Sequence, residues 1–227
     1  MAAAKFDTPA LKPYPVIPLV AEGAMAHSKP FVASPKIQEA IGFPGELTEG
    51  WEQRAVAKMG ELLGKCVNEK LGGNAQVLFG AAPDGTAGKK EYDESALAAL
   101  AATAPGAKVV QTIQTPDRAK AQVDIGNALQ GNPNINAFMS SGDEGPLAAL
   151  GAFAAAGKEL PCDVAGTAGN PETLAAVKAG KIYGVNALQF EADMKQSFDT
   201  LVKMQADPTA KGLVLTVPQK IITQSSS

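Results

Sequence analysis

The 227-residue chain has a single histidine, His27, and only two cysteines, Cys66 and Cys162. That leaves few ligands for a zinc site and few parts for a histidine-based catalytic triad. No apolar run approaches the roughly 20 residues needed to span a bilayer, so membrane insertion is not expected. Neither sign of charge dominates. With 20 basic against 23 acidic residues the net charge is −3, so no basic face points to nucleic acid. The G-x-S-x-G nucleophile elbow, the Walker loop and G-x-G-x-x-G are all missing. What is present is an ordinary globular composition, 45% hydrophobic and 19% charged, large enough for one sizeable domain or two small ones. The balance points to binding or assembly. It argues only weakly against an enzyme, because carboxylates and lysines remain available for chemistry.

The opening Met1-Ala-Ala-Ala-Lys5 shows no basic stretch with an apolar one behind it. A cytosolic protein and a mature exported one both fit. Cys66 and Cys162 have no metal-type spacing. Two buried, unpaired thiols are the simpler reading. The other is one long-loop disulfide, which requires an oxidising compartment. The end, Gln224-Ser-Ser-Ser227, reads as a polar, frayed tail.

Residues 1–47 hold seven of the 16 prolines and read as an extended, wrapping arm, since proline breaks helices and central strands. Tyr14–Val20 fits an edge strand, and Ser34–Ile41 a short helix. From Thr48 the pattern turns regular. Helices are expected at Glu49–Lys70, Glu91–Ala104, Pro116–Gln130, Gly145–Ala156, Pro171–Ala179 and Phe190–Gln205. Strands are expected at Ala75–Phe79, Lys108–Gln114, Ile135–Met139, Asp163–Thr167, Ile182–Ala187 and Gly212–Val217. Short apolar strands with helical crossovers predict an α/β fold, a doubly wound parallel sheet with flanking helices.

Ligands of such sheets sit at the strand carboxyl ends, so the loops there are the candidate site. Gly80-Ala-Ala-Pro-Asp-Gly-Thr-Ala-Gly88 offers Asp84 and Thr86, with Lys89, Lys90 and Tyr92 just beyond. Its glycines are spaced as in an ordinary βα loop and do not match a phosphate cradle. Ser140-Ser-Gly-Asp-Glu144 opens a helix, where Ser141 or Asp143 can cap or face a polyol. Asn170 reads as the cap of the helix begun by Pro171. Glu91, Asp93 and Glu94 at one helix start read as dipole compensation, with an acid pair for catalysis the less economical reading.

Two segments carry a family likeness. Asn134-Ile-Asn-Ala-Phe-Met-Ser-Ser-Gly-Asp-Glu-Gly-Pro-Leu-Ala-Ala-Leu-Gly-Ala-Phe-Ala-Ala-Ala-Gly157 and Val164-Ala-Gly-Thr-Ala-Gly-Asn-Pro-Glu-Thr-Leu-Ala-Ala-Val-Lys-Ala-Gly-Lys-Ile182 resemble the ribose-type (class I) periplasmic sugar-binding proteins of ABC transporters. The likeness runs in consistent order over residues 48–217. It implies a non-catalytic protein of the periplasm or cell exterior, without cofactor or metal, serving an ABC permease or another protein subunit. It also implies a small polar, sugar-like solute bound near Asp84, Thr86, Tyr92, Ser141, Asp143, Thr167, Asn170 and Gln189. The LacI-type repressors share this fold, but residues 1–47 show no helix-turn-helix pattern, so that branch is not the expected one.

The resemblance breaks at two places. Family members have two similar lobes. Here 48–187 match one complete lobe, while 1–47 and 188–227 match only a remnant and a return segment of the other. Tyr14–Val20 stands at that lobe's last inner strand. The pocket also departs. Tyr92, with Lys89 and Lys90 nearby, stands where relatives have arginine. Gly142 replaces an asparagine, Ala168 an aspartate, and Ala21-Glu22 an Asp-Arg pair, while Gln189 keeps its glutamine within one position. Aromatic platforms are scarce at 5%. Two functions follow from these observations: a divergent solute-binding protein, or a ligand-free scaffold or accessory subunit that docks on a protein partner.

Overall fold

In the computed structural model of the chain, residues 51–82, 84, 89–115, 117–206 and 219–226 are described. They form α1 (Trp51–Leu71), β1 (Asn74–Ala81), α2 (Lys89–Thr103), β2 (Gly106–Gln114), α3 (Arg118–Gly131) and β3 (Ala137–Ser140). Then follow α4 (Glu144–Ala155), β4 (Cys162–Ala168), α5 (Pro171–Lys178), β5 (Gly184–Leu188), α6 (Phe190–Ala206), β6 (Gln219–Thr223) and a 3-10 turn, Gln224–Ser226. The expected elements Tyr14–Val20, Ser34–Ile41 and Gly212–Val217 lie outside the described residues. Of the described residues, 51–193 and 219–226 belong to one compact unit, and 194–206 of α6 to a second.

Among the described residues the sheet has the order β2-β1-β3-β4-β5-β6. The first five strands run parallel and β6 lies antiparallel on β5. Side-chain alternation explains the two covered faces. Val77, Phe79, Met139, Cys162 and Val164 meet Met59, Leu63, Cys66 and Val67 of α1 and Ala96 and Leu100 of α2. Leu78 and Phe138 point the other way, into Ile125, Leu129, Ala149 and Phe153 of α3 and α4. Ala165, Val185 and Ala187 pack with Val177 of α5. Helices α1 and α2 approach closely because α1 carries glycine at the crossing. A Cβ on Gly60 would strike the Ala96 carbonyl, and one on Gly64 would lie 2.5 Å from Thr103 Cβ.

Three expectations need correction. The cysteines are not free thiols: Cys66 and Cys162 form a disulfide, with Cα atoms 5.7 Å apart. Helix α1 packs on the sheet, so Cys66 in its C-terminal part meets the first residue of β4 although 96 positions separate them. Second, a strand was missed: Gln219-Lys-Ile-Ile-Thr223 pairs with β5, helped by Asn186 Nδ2 donating to Gln219 Oε1 at 2.8 Å. Third, the polar tail is not simply frayed: Gln224–Ser226 form a 3-10 turn, and the Ser226 hydroxyl accepts from Thr223 N at 2.8 Å.

Helix starts follow local chemistry. Asp117 accepts from Lys120 N, so α3 begins at Arg118 and not at the expected Pro116. β3 begins two residues later than expected because Asn136 is occupied with Gln76, accepting its N–H at Oδ1 at 2.9 Å. Strand β2 is an edge of the sheet formed by the described residues, and its register slips beside Val77 and Leu78, leaving Val110 without a partner in β1. Such a bulge discourages pairing with other chains.

Candidate functional site

Strands β1, β3 and β4 end together at the carboxyl edge, where β1 pairs through Gly80 with Ser140 and β3 through Ser140 with Ala165. Three of the expected residues meet there. Thr167 Oγ1 donates to the Ser141 carbonyl at 2.8 Å. That uses the one threonine proton, so at the 3.1 Å contact between Tyr92 Oη and Thr167 Oγ1 the tyrosine is the donor. The chain Tyr92–Thr167–Ser141 thus ties α2, β4 and the β3–α4 loop.

Asp143 does not cap its own helix, contrary to expectation. It has helical backbone angles and no side-chain bond to α4. Its Oδ1 instead accepts from Gly169 N at 3.0 Å and Asn170 N at 3.1 Å. Asn170 caps α5 as expected, accepting from Thr173 N at 2.7 Å. Gln189 leans back on the Ala187 carbonyl at 3.4 Å. Asp84 is exposed. Thr86 lies outside the described residues. Tyr92, Ser141, Asp143, Thr167, Asn170 and Gln189 are all half-buried; Ser141, Asp143 and Asn170 lie in the loops after β3 and β4, Thr167 near the end of β4 and Tyr92 in α2. Gly142 and Ala168, where the resemblance leads one to expect polar side chains, offer none.

One cluster at this edge was not foreseen. The Arg118 guanidinium meets two carboxylates. It donates from Nε to Glu144 Oε2 at 2.7 Å and from Nη2 to Glu144 Oε1 at 3.3 Å. Nη1 and Nη2 each reach a Glu172 oxygen at 2.8 Å. Hydrogen bonding to Arg118 holds the Glu172 carboxyl below its ordinary range, and the two glutamates raise the guanidinium further above its own. The partners are 26 and 54 residues away, so no local pattern could have announced them.

Away from the strand ends, a groove of about 730 Å³ runs between α3 and α4, lined by Val123, Gly126, Leu129, Ala152, Ala155 and Lys158 among others. The buried carboxyl of Asp163 lies at the opposite, amino end of β4. It is fully enclosed and neither oxygen has a hydrogen-bond partner. Burial pushes this acid well above the usual carboxylate range, and the nearby Val164 N–H opposes the shift only weakly. No group of three or more His, Cys, Asp or Glu suited to a metal occurs among the described residues. No helix there is long and apolar enough to cross a membrane.

The described residues thus form an α/β protein with a mostly parallel sheet covered on both faces and polar groups at its strand carboxyl ends, the edge where such sheets can take ligands. Residues 55–207 match the periplasmic binding protein domain, and the chain belongs to that family. The fold is shared with solved structures of low identity. An ABC transporter periplasmic solute-binding protein from Actinobacillus succinogenes 130z, with bound D-allose, aligns at TM-score 0.69 and 19% identity, covering 85% of this chain and 66% of that one. The arabinose-transporter binding component from Shewanella sp. ANA-3 aligns at 0.63 and 19%, covering 75% and 57%. The Caulobacter myo-inositol binding protein aligns at 0.62 and 22%, covering 75% and 58%. The chain therefore spans 57% to 66% of the length of these three. No curated protein matches the sequence.

Proposed function

We propose that this chain is a divergent solute-binding component of an ABC transporter, taking a small polar solute of the sugar or polyol class at the strand carboxyl ends without catalysis. The observation that carries the reading is the polar layer of Tyr92, Ser141, Thr167 and Asn170, half-buried on the edge where α/β sheets take ligands. Family membership over 55–207 supports it, as do the L-arabinofuranose, D-allose and myo-inositol bound in the related structures. Asp84 and Thr86 would complete the first loop's contribution and Gln189 the last. In this reading residues 48–187 are the complete lobe, while 1–47 and 188–227 contribute part of the other. The bound solute is handed to an ABC permease, and the site of action is the periplasm or cell exterior. The Cys66–Cys162 disulfide fits such an oxidising compartment.

A second reading, an accessory or scaffold subunit docking on a protein partner, draws on one specific observation. The strand-end groups are engaged with each other and with backbone: Tyr92 with Thr167, Thr167 with Ser141, and Asp143 with Gly169 and Asn170. Groups satisfied in this way gain less from a solute than unpaired ones.

A thermal-shift panel of pentoses, hexoses and polyols separates the two. At 100 times its dissociation constant a ligand adds about 2.7 kcal/mol to stability. The solute reading expects a saturable rise in melting temperature with one chemical class. A cooperative melt that no member moves supports the accessory subunit.

A further inference from the structure

We propose that Arg118 is the positioning residue of the strand-end site, holding the β3–α4 and β4–α5 loops in one arrangement against which a solute is bound. The proposal rests on the solute-binding reading above.

Arg118 is the first residue of α3, where the helix dipole disfavours a cation and favours an acid. Its site makes sense only through its partners. Glu144 is the first residue of α4, and Glu172 the second of α5, both favourable places for acids. One guanidinium with four N–H···O contacts therefore joins three helix starts. The loops that run into those glutamates, Ser141–Asp143 and Gly169–Asn170, are the pair that Asp143 already stitches through the Gly169 and Asn170 amides. They are tied twice: once between themselves and once from outside, through Arg118.

An isolated exposed ion pair would do little. A planar fork engaging two carboxylates is different, because it fixes direction as well as distance, and lysine cannot reproduce it. Arg118 touches neither Thr167 nor Asn170 in the described contacts, so its effect passes through Glu144 and Glu172. Losing it frees the loops to separate while the apolar clusters under the sheet stay as they are.

The test uses the oxidised full chain and the variants R118M and R118K. Amide hydrogen exchange is followed at Gly169 and Asn170, with Leu78 in the centre of β1 as the reporter of global opening. R118M is expected to speed exchange at Gly169 and Asn170 by about tenfold or more, the scale of one lost charge-assisted hydrogen bond, with Leu78 unchanged. R118K should stay close to R118M, and full rescue by lysine would overturn the argument from the fork. Equal acceleration at Leu78 would reduce Arg118 to a contributor to general stability and overturn the proposal. In parallel, the affinities of D-allose, L-arabinose and myo-inositol are measured. Any that binds the wild type should bind R118M about tenfold more weakly, again on that scale. Unchanged affinity with loosened loops would also overturn the positioning role. Should none bind the wild type, the solute reading fails, while the exchange arm still decides whether Arg118 orders these loops.

Discussion

Asp163 has an acid's chemistry in a place built for an apolar side chain. Cys162 and Val164 on either side of it face the α1 core, and alternation turns the carboxyl to the other face, where neither oxygen is bonded. Its raised pKa makes the folded state hold a proton that the unfolded chain releases above about pH 3.9. Stability from this group is therefore greatest in acid and falls as pH rises through that window. Asp163→Asn should raise the urea midpoint at pH 7, with the gain shrinking towards pH 4; a gain independent of pH would contradict the assignment. The Tyr92–Thr167–Ser141 chain gives a second test. Tyr92→Phe removes one donor and should cost about 0.5–1.5 kcal/mol. Thr167→Val removes two bonds and should cost more. The double variant should cost less than the sum, because both lose the same bond. What was legible at this scale was local. Asn170 announces its cap because its partner lies three residues on. Arg118 and the new role of Asp143 depend on partners across the fold, which composition and spacing do not reveal.

Elements were legible wherever an apolar run had one period. α1 reads as a helix because Met59, Leu62, Leu63, Cys66 and Val67 share a stripe. The strands β1, β3 and β4 read as short buried runs. β6 escaped because Gln219-Lys-Ile-Ile-Thr223 is half polar and follows the more apolar Gly212–Val217. Its pairing comes from β5 and Asn186, not from its own pattern. Helix packing adds a matched pair of predictions on glycine. Gly60→Ala forces α1 off Ala96 and Leu100, and overpacking of this kind should cost about 1–3 kcal/mol. Gly126→Ala in α3 meets nothing within 4 Å, so the better helix former should gain about 0.5–1 kcal/mol. Chemical denaturation of both variants checks the pair, and equal effects would contradict the described packing of α1 on α2.

At the scale of the whole molecule, the disulfide closes a loop that encloses β1 to β3, the whole of α2, α3 and α4 and the end of α1, between residues 96 apart. Its loss typically costs about 2–5 kcal/mol. Both cysteines are fully buried, so dithiothreitol should leave the native chain oxidised until it unfolds. Once reduced, the chain should melt well below the oxidised form. Equal melting temperatures would mean that the bond adds nothing to the fold. The doubly wound architecture was legible from the strand–helix alternation, and the family from two strand–loop–helix segments, 134–157 and 164–182. The cysteine pairing was not, because it depends on where α1 crosses the sheet. The central claim, a solute held at the strand carboxyl ends, is tested most directly by amide hydrogen exchange with and without a saturating member of the sugar and polyol panel. Solute-dependent protection should concentrate at residues 141–143, 167–170 and 189. Protection along the α3–α4 groove instead, or none anywhere, would contradict it.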